Sequence, residues 1–220
     1  RDPRESEITA ALKAMVVKSP QVAFITGHGE RDIYKGGERD YSAFAKNLTF
    51  RYSLINQGFG VSVLDLKADS MATDIADNID IIVIADVREA YTPDEIAKIQ
   101  RFIARGGNMI IASVLFATTA KAWNEQQTTD FVDDKPEINP ETGERADSIP
   151  LVVRLTRQVG DKEQRIYVCG DADCMANSEL TTNRNDLSTS NFTLITEAFR
   201  ELSYNQFPVN DDRPHPYDDE

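Results

Sequence analysis

Apolar residues along the chain follow two rhythms: short unbroken runs, and stripes spaced three and four apart. "QVAFIT" (21–26), "GVSVLDL" (60–66), "IDIIVIA" (79–85) and "NMIIAS" (108–113) are runs of the first kind. Each has the length of a strand, and the third is apolar almost throughout, as in a parallel strand covered on both faces. Residues 5–18 instead place Ile8, Leu12, Met15 and Val16 at helical spacing. Asp40 or Ser42 can cap a second helix carrying Phe44, Leu48, Tyr52 and Ile55, with Gly58 to end it. In "YTPDEIAKIQRFIARGGN" Thr92 is the N-cap, Pro93 takes the first helical position and Glu95 closes a capping box. Ile96, Ile99, Phe102 and Ile103 form its expected buried stripe, and Gly106 or Gly107 ends it.

Strands alternating with helices predict right-handed crossovers and an α/β fold. The expected architecture is a doubly wound, mostly parallel sheet, flavodoxin-like or amidotransferase-like. "LVVRLTRQV" and "RIYVCG" flank "GDKEQ" as a C-terminal hairpin or pair of edge strands. Ser190 can cap a last helix using Phe192, Ile195, Phe199 and Leu202. Residues 1–204 thus predict one α/β domain, and 205–220 an acidic, proline-rich tail or linker.

Composition alters this picture in one respect. The net charge of −13 is concentrated, because residues 124–150 hold eight acids and two bases and residues 205–220 hold five acids and one base. Those segments read as a mobile surface excursion and a tail that need water rather than a basic partner. The rest of the chain is nearly balanced and carries no basic stripe, which argues against nucleic-acid binding. Apolar content of 40% suffices for a real core. No apolar run reaches the roughly 18 residues of a membrane span. The opening "RDPRESE" lacks a methionine and reads as a piece of a longer chain.

Ligands of open α/β sheets gather at the carboxyl ends of strands, where the strand order reverses. Two polar loops fall there: Thr26–Arg39 after the first strand and Asp86–Tyr91 after the third. With first and third strands adjacent, His28, Glu30, Arg31, Asp86 and Arg88 would rim one crevice. His28 is either a base or ligand donor, or a turn residue whose ring bonds a neighbouring backbone group between glycines that supply positive φ. A hydrolase or amidotransferase-like enzyme would pair it with Glu30 or Asp86. GHGERDIYKGG matches neither dinucleotide nor phosphate-loop spacing, so no cofactor is expected. Ser113 in "IIASVLF" lacks the glycines of a nucleophile elbow. Asp171, Asp173 and Asn177 could hold a divalent cation, but a turn bonding local amides is the expected reading, and no metal site is assigned. Cys169 reads as a buried strand thiol, with a local bridge to Cys174 as the alternative.

"VAFITGHGERD", "DYSAFAKNL", "GFGVSVLDL", "IDIIVIADVREAYTPDEIAKIQRFIARGGNMIIA", "RIYVCGDADCMANSEL" and "NFTLITEAF" together resemble the auxiliary domain of gliding-motility-type ABC transporters, including the GldG-like proteins of Bacteroidetes. The resemblance spans most of residues 7–203, and T-G-H-G-E is its most specific part. It implies a non-enzymatic domain on the periplasmic side of the inner membrane, held there by flanking transmembrane helices outside this chain. The implied partners are the permease and ATPase subunits, with a peptide or glycan as a further ligand. The fold is also similar to class I glutamine amidotransferase-like and intraflagellar-transport-type domains. No catalytic residue carries over; the Gly27–Glu30 loop carries over as a candidate recognition site. The acidic excursion and tail depart from the family pattern.

Overall fold

The computed structural model describes residues 12, 15, 17–67, 74–113, 152–181 and 191–206. Its strands are β1 (Gln21–Thr26), β2 (Gly60–Asp65), β3 (Ile81–Ala85), β4 (Asn108–Ala112), β5 (Val152–Val159) and β6 (Lys162–Cys169). They form one sheet in the order β2-β1-β3-β4-β6-β5. All neighbours are parallel except β5 and β6, which are antiparallel. The parallel part has the flavodoxin-like order, and the hairpin supplies the C-terminal edge. Its turn is shorter than "GDKEQ", since Val159 pairs with Lys162 and the ladder runs on through Glu163 and Gln164.

Side chains alternate across the central strands and feed a core on each face. Val22, Phe24, Ile81, Val83, Ala85, Ile110 and Ala112 lie on one side. They pack with Phe44 of α1 (Ser42–Lys46) and with Ile195, Phe199 and Leu202 of α4 (Asn191–Leu202). Phe199 meets Phe44 at 5.4 Å and Phe59 at 5.8 Å between ring centres. On the other side, Ile25, Ile82, Ile84 and Met109 pack with Ile99 and Phe102 of α2 (Pro93–Ala104). Burial of β1, β3 and β4 on both faces explains why their sequences barely alternate.

Two expectations fail locally, each for a polar reason. The helix after residue 40 stops at Lys46, and Leu48 is exposed. Neither expected cap serves it. Asp40 Oδ2 accepts from the Gly37 amide, Ser42 Oγ accepts from Asn177, and Tyr41 at the N-cap makes no side-chain cap bond. Asn47 Oδ1 then accepts from the Thr49 amide, while Asn56 Nδ2 donates to the carbonyls of Asn47, Leu48 and Phe50. These bonds offer the backbone a turn in place of the helix ladder.

The second concerns α2. Its capping box and N-terminal proline are present as expected. Gly106, at φ +88°, follows its last turn. The buried stripe, however, is Glu95, Lys98, Ile99 and Phe102, with Ile96 43% exposed. Ile99 and Phe102 are buried as expected and Ile103 packs partly buried against the core; Ile96 alone turns outward, beside a Glu95 that points inward to a histidine.

Leu12 and Met15 are helical and exposed. The remainder of the helix expected over 5–18 is largely outside the described residues, as are Ser190, the excursion 124–150 and nearly all of the tail.

Candidate functional site

The loops after β1 and β3 meet at one end of the sheet. The amides of Arg88 and Glu89 both donate to the His28 carbonyl, at 2.9 and 3.0 Å, and the Arg31 amide donates to Ala85 at 3.2 Å. Two glycines make the close approach possible. Gly27 has φ +113°, and a Cβ there would lie 2.7 Å from Asp65 Oδ1; Gly29 has φ +79°, and a Cβ would lie 2.8 Å from Arg88 Cβ. Gly27→Ala is therefore expected to destabilise by about 1–3 kcal/mol, read as a lowered urea midpoint, through positive-φ strain and crowding. An unchanged midpoint would mean that the turn can rearrange.

His28 is 2% exposed and lies inside this junction. Its ring does not pair with Glu30 or Asp86, nor with a neighbouring backbone group. Nε2 is 2.9 Å from Glu95 Oε1, across 67 residues of sequence. The same carboxylate, through Oε2, accepts from the Thr92 amide at 2.7 Å and the Thr92 hydroxyl at 2.8 Å. Tyr91 stands edge-on to the imidazole at 4.6 Å between ring centres and donates its hydroxyl to Glu30 Oε1 at 2.7 Å. Glu30 Oε2 accepts from the His28 amide at 2.6 Å. His28, Glu30, Tyr91 and Glu95 thus form one interlocked set.

The electrostatics follow from these partners. Burial alone would raise the Glu95 carboxyl, but the bonds from His28 and Thr92 outweigh it and bring it down to about 2. Glu95 is therefore ionised, and Nε2 of His28 donates to it. Burial, and then the bond to Glu30, pushes the Tyr91 phenol up. A carboxyl lowered on folding stabilises the folded state above its ordinary value of 4.5 and loses that contribution as pH falls toward about 2. Urea midpoints are expected to fall across this window, and Glu95→Gln to flatten that decline. Equal acid limbs in both proteins would contradict the pairing.

Arg31, Asp86 and Arg88 form the second half of the junction. Asp86 holds φ +56° at the end of β3, and its amide donates to Ala112 at 2.8 Å. Arg31 Nε lies 2.7 Å from Asp86 Oδ2, off the N–H direction, so the contact is an ion pair rather than a hydrogen bond. Arg31 also donates to the Arg39 carbonyl at 2.6 Å and to Asp173 Oδ1 at 2.7 Å. Arg88 donates to Asp86 Oδ2 at 2.5 Å, and Arg39 approaches the same oxygen at 3.5 Å. All five residues expected at the crevice lie at this junction. Sequence reasoning missed Glu95, Tyr91 and Arg39. Glu95 had been accounted for as a cap, and nothing in the pattern marks its second oxygen as serving another loop.

The floor comes from a distant segment. Asp171 Oδ1 accepts from the Asp173 amide, opening a 3₁₀ turn at Ala172–Met175 that leads into α3 (Asn177–Thr181). The Tyr41 hydroxyl donates to the Ala172 carbonyl. Asn177 donates to the Gly37 carbonyl and accepts from the Ala43 amide, both at 2.8 Å. Asp171 and Asn177 are turn and bracing residues, as expected, whereas the Asp173 carboxylate bonds the distant Arg31 instead of a local amide. Among the described residues no group of three His, Cys, Asp or Glu could hold a metal ion. Cys169 and Cys174 are buried free thiols. Their mutual hydrogen bond lowers Cys169 and, with burial, raises Cys174. Ser113 is exposed, and its amide donates to the Cys169 carbonyl.

Fold and junction together define a doubly wound α/β protein whose polar loop junction lies at its topological switch point. Residues 19–113 match the model of a family described as ABC-type uncharacterized transport system. The matched stretch carries β1 to β4 and both crevice loops, but not Asp173 or Asn177. It supports a transport-associated auxiliary role in a membrane-associated setting. No curated protein and no solved structure matches the chain. Among the described residues no helix is long and apolar enough to cross a membrane.

Proposed function

We propose that the chain is a non-enzymatic auxiliary domain of an ABC-type transport complex, and that the crevice between 26–39 and 86–91 engages a partner subunit or its peptide or glycan ligand. The supporting observation is the use made of His28. Its Nε2 is committed to a carboxylate that also caps α2, and the ring is buried, so it braces the rim instead of reaching a substrate. The two loops present Tyr34, Arg39 and Arg88 to solvent.

In this reading residues 1–204 form one domain of the GldG-like, gliding-motility kind with an amidotransferase-like fold. It stands on the periplasmic side of the inner membrane, tethered by flanking helices, beside the permease and ATPase subunits. The test is photo-crosslinking in the full-length membrane-embedded protein. A benzoylphenylalanine replacing Tyr34 is expected to capture a transporter subunit, and one replacing Leu155 on edge strand β5 is not. Capture from Leu155 alone would move the docking surface away from the crevice and refute the assignment.

A further inference from the structure

Three guanidinium groups converge on a single carboxylate oxygen. Asp86 Oδ2 lies 2.7 Å from Arg31 Nε, 2.5 Å from Arg88 Nη2 and 3.5 Å from Arg39 Nη2. The second acid in reach is Asp173, whose Oδ1 is taken by Arg31 at 2.7 Å and stands 3.8 Å from Arg39 Nε. Three positive side chains therefore share two negative ones, within a chain whose formal charge is −13. Three further acids lie near by: Glu30 bonds Tyr91 and the His28 amide, Asp171 accepts from the Asp173 amide, and Glu89 stands 3.5 Å from Lys67.

The excess falls on the two outer arginines. The Arg31 side chain is only 5% exposed and is used on three sides. Arg39 is 57% exposed and its guanidinium makes two ion pairs, at 3.5 and 3.8 Å, without a hydrogen bond. Arg88 is 54% exposed and spends one nitrogen on Asp86. A guanidinium offers five donors in a planar fork suited to two oxygens at once. Asp86 thus holds the two forks at the crevice mouth while leaving most of their donors to solvent. The position is the carboxyl end of β3 at the switch point, where open α/β sheets bind ligands.

We propose that Arg39 and Arg88 bind an oxyanion, a carboxylate or phosphate group carried by whatever occupies the crevice, with Asp86 and Arg31 as the positioning residues. The inference rests on the crevice reading and gives its occupant a charge. Both outer arginines are more than half exposed and belong to neither core, and Arg31 remains on Asp86, so their replacement is expected to leave the fold intact.

The test follows the Arg Nε–H resonances of the ¹⁵N-labelled 220-residue chain during separate titrations with inorganic phosphate and acetate at constant ionic strength. Saturable shifts confined to Arg39, Arg88 and Arg31 are expected, with Arg154, an exposed arginine paired to Glu201, as the unmoved control. Saturation by phosphate alone or acetate alone identifies the group. Arg39→Gln and Arg88→Gln are each expected to weaken binding by roughly tenfold or more, the loss of a charge-assisted pair. Added salt is expected to weaken it further. Non-saturable shifts, or shifts of equal size at Arg154, would overturn the inference. So would full-strength binding in both variants. Crosslinking from Tyr34 without anion binding would sink this inference alone, whereas anion binding without crosslinking would support it and sink the docking assignment.

Discussion

Replacing Glu95 with alanine is expected to destabilise the protein by about 3–4 kcal/mol, the cost of a buried donor left unsatisfied added to that of a lost helix cap. Three losses coincide. His28 Nε2 is left in a 2% exposed site without an acceptor, the Thr92 amide and hydroxyl lose theirs, and α2 loses half of its capping box. The cap alone is worth about 1 kcal/mol, so urea denaturation separates the two accounts. A loss near 1 kcal/mol would mean that the histidine contact contributes nothing. The double replacement His28→Ala with Glu95→Ala is expected to be much less damaging than the two single losses added, because each residue is harmful mainly when left alone.

Arg31→Ala is expected to rank next, at about 3 kcal/mol. It sits at the lower end because Arg88 and Arg39 remain to neutralise Asp86. What disappears is the tie between three separate segments: the end of β3 through Asp86, the Arg39 carbonyl, and Asp173 of the 3₁₀ turn. Amide exchange should accelerate in 37–43 and 172–178 while β2 stays protected. Arg31→Lys is expected to recover only part of the loss, since one ammonium cannot face three acceptors in different directions. Full recovery by lysine would reduce Arg31 to a point charge.

Much of this architecture could be read from residues 21–113. Runs such as "IDIIVIA" state that their strands are covered twice, and "YTPDE" spells out the start of α2 by purely local chemistry. The meeting of the 26–39 and 86–91 loops followed from strand order, which the alternation of elements restricts tightly. What escaped was decided by side-chain bonds between remote positions. Ile96 looks like a core residue, but the inward place beside it goes to Glu95, which bonds His28. Leu48 and Ile55 fit a helical stripe, but Asn47 and Asn56 divert the backbone into turns. The partners of His28 and Arg31 lie 67 and 142 residues away, and no local pattern encodes such pairings.

That span of 142 residues between Arg31 and Asp173 also sets a timetable. At ribosomal rates of roughly 5–20 residues per second, the first half of the rim waits on the order of ten seconds for its second half to be synthesised. Until then Tyr41 lacks the Ala172 carbonyl it donates to, and Arg31 has at most Asp86 of its two acids. A newly made chain therefore carries an unfinished junction until residues 171–178 have emerged and closed behind the loop.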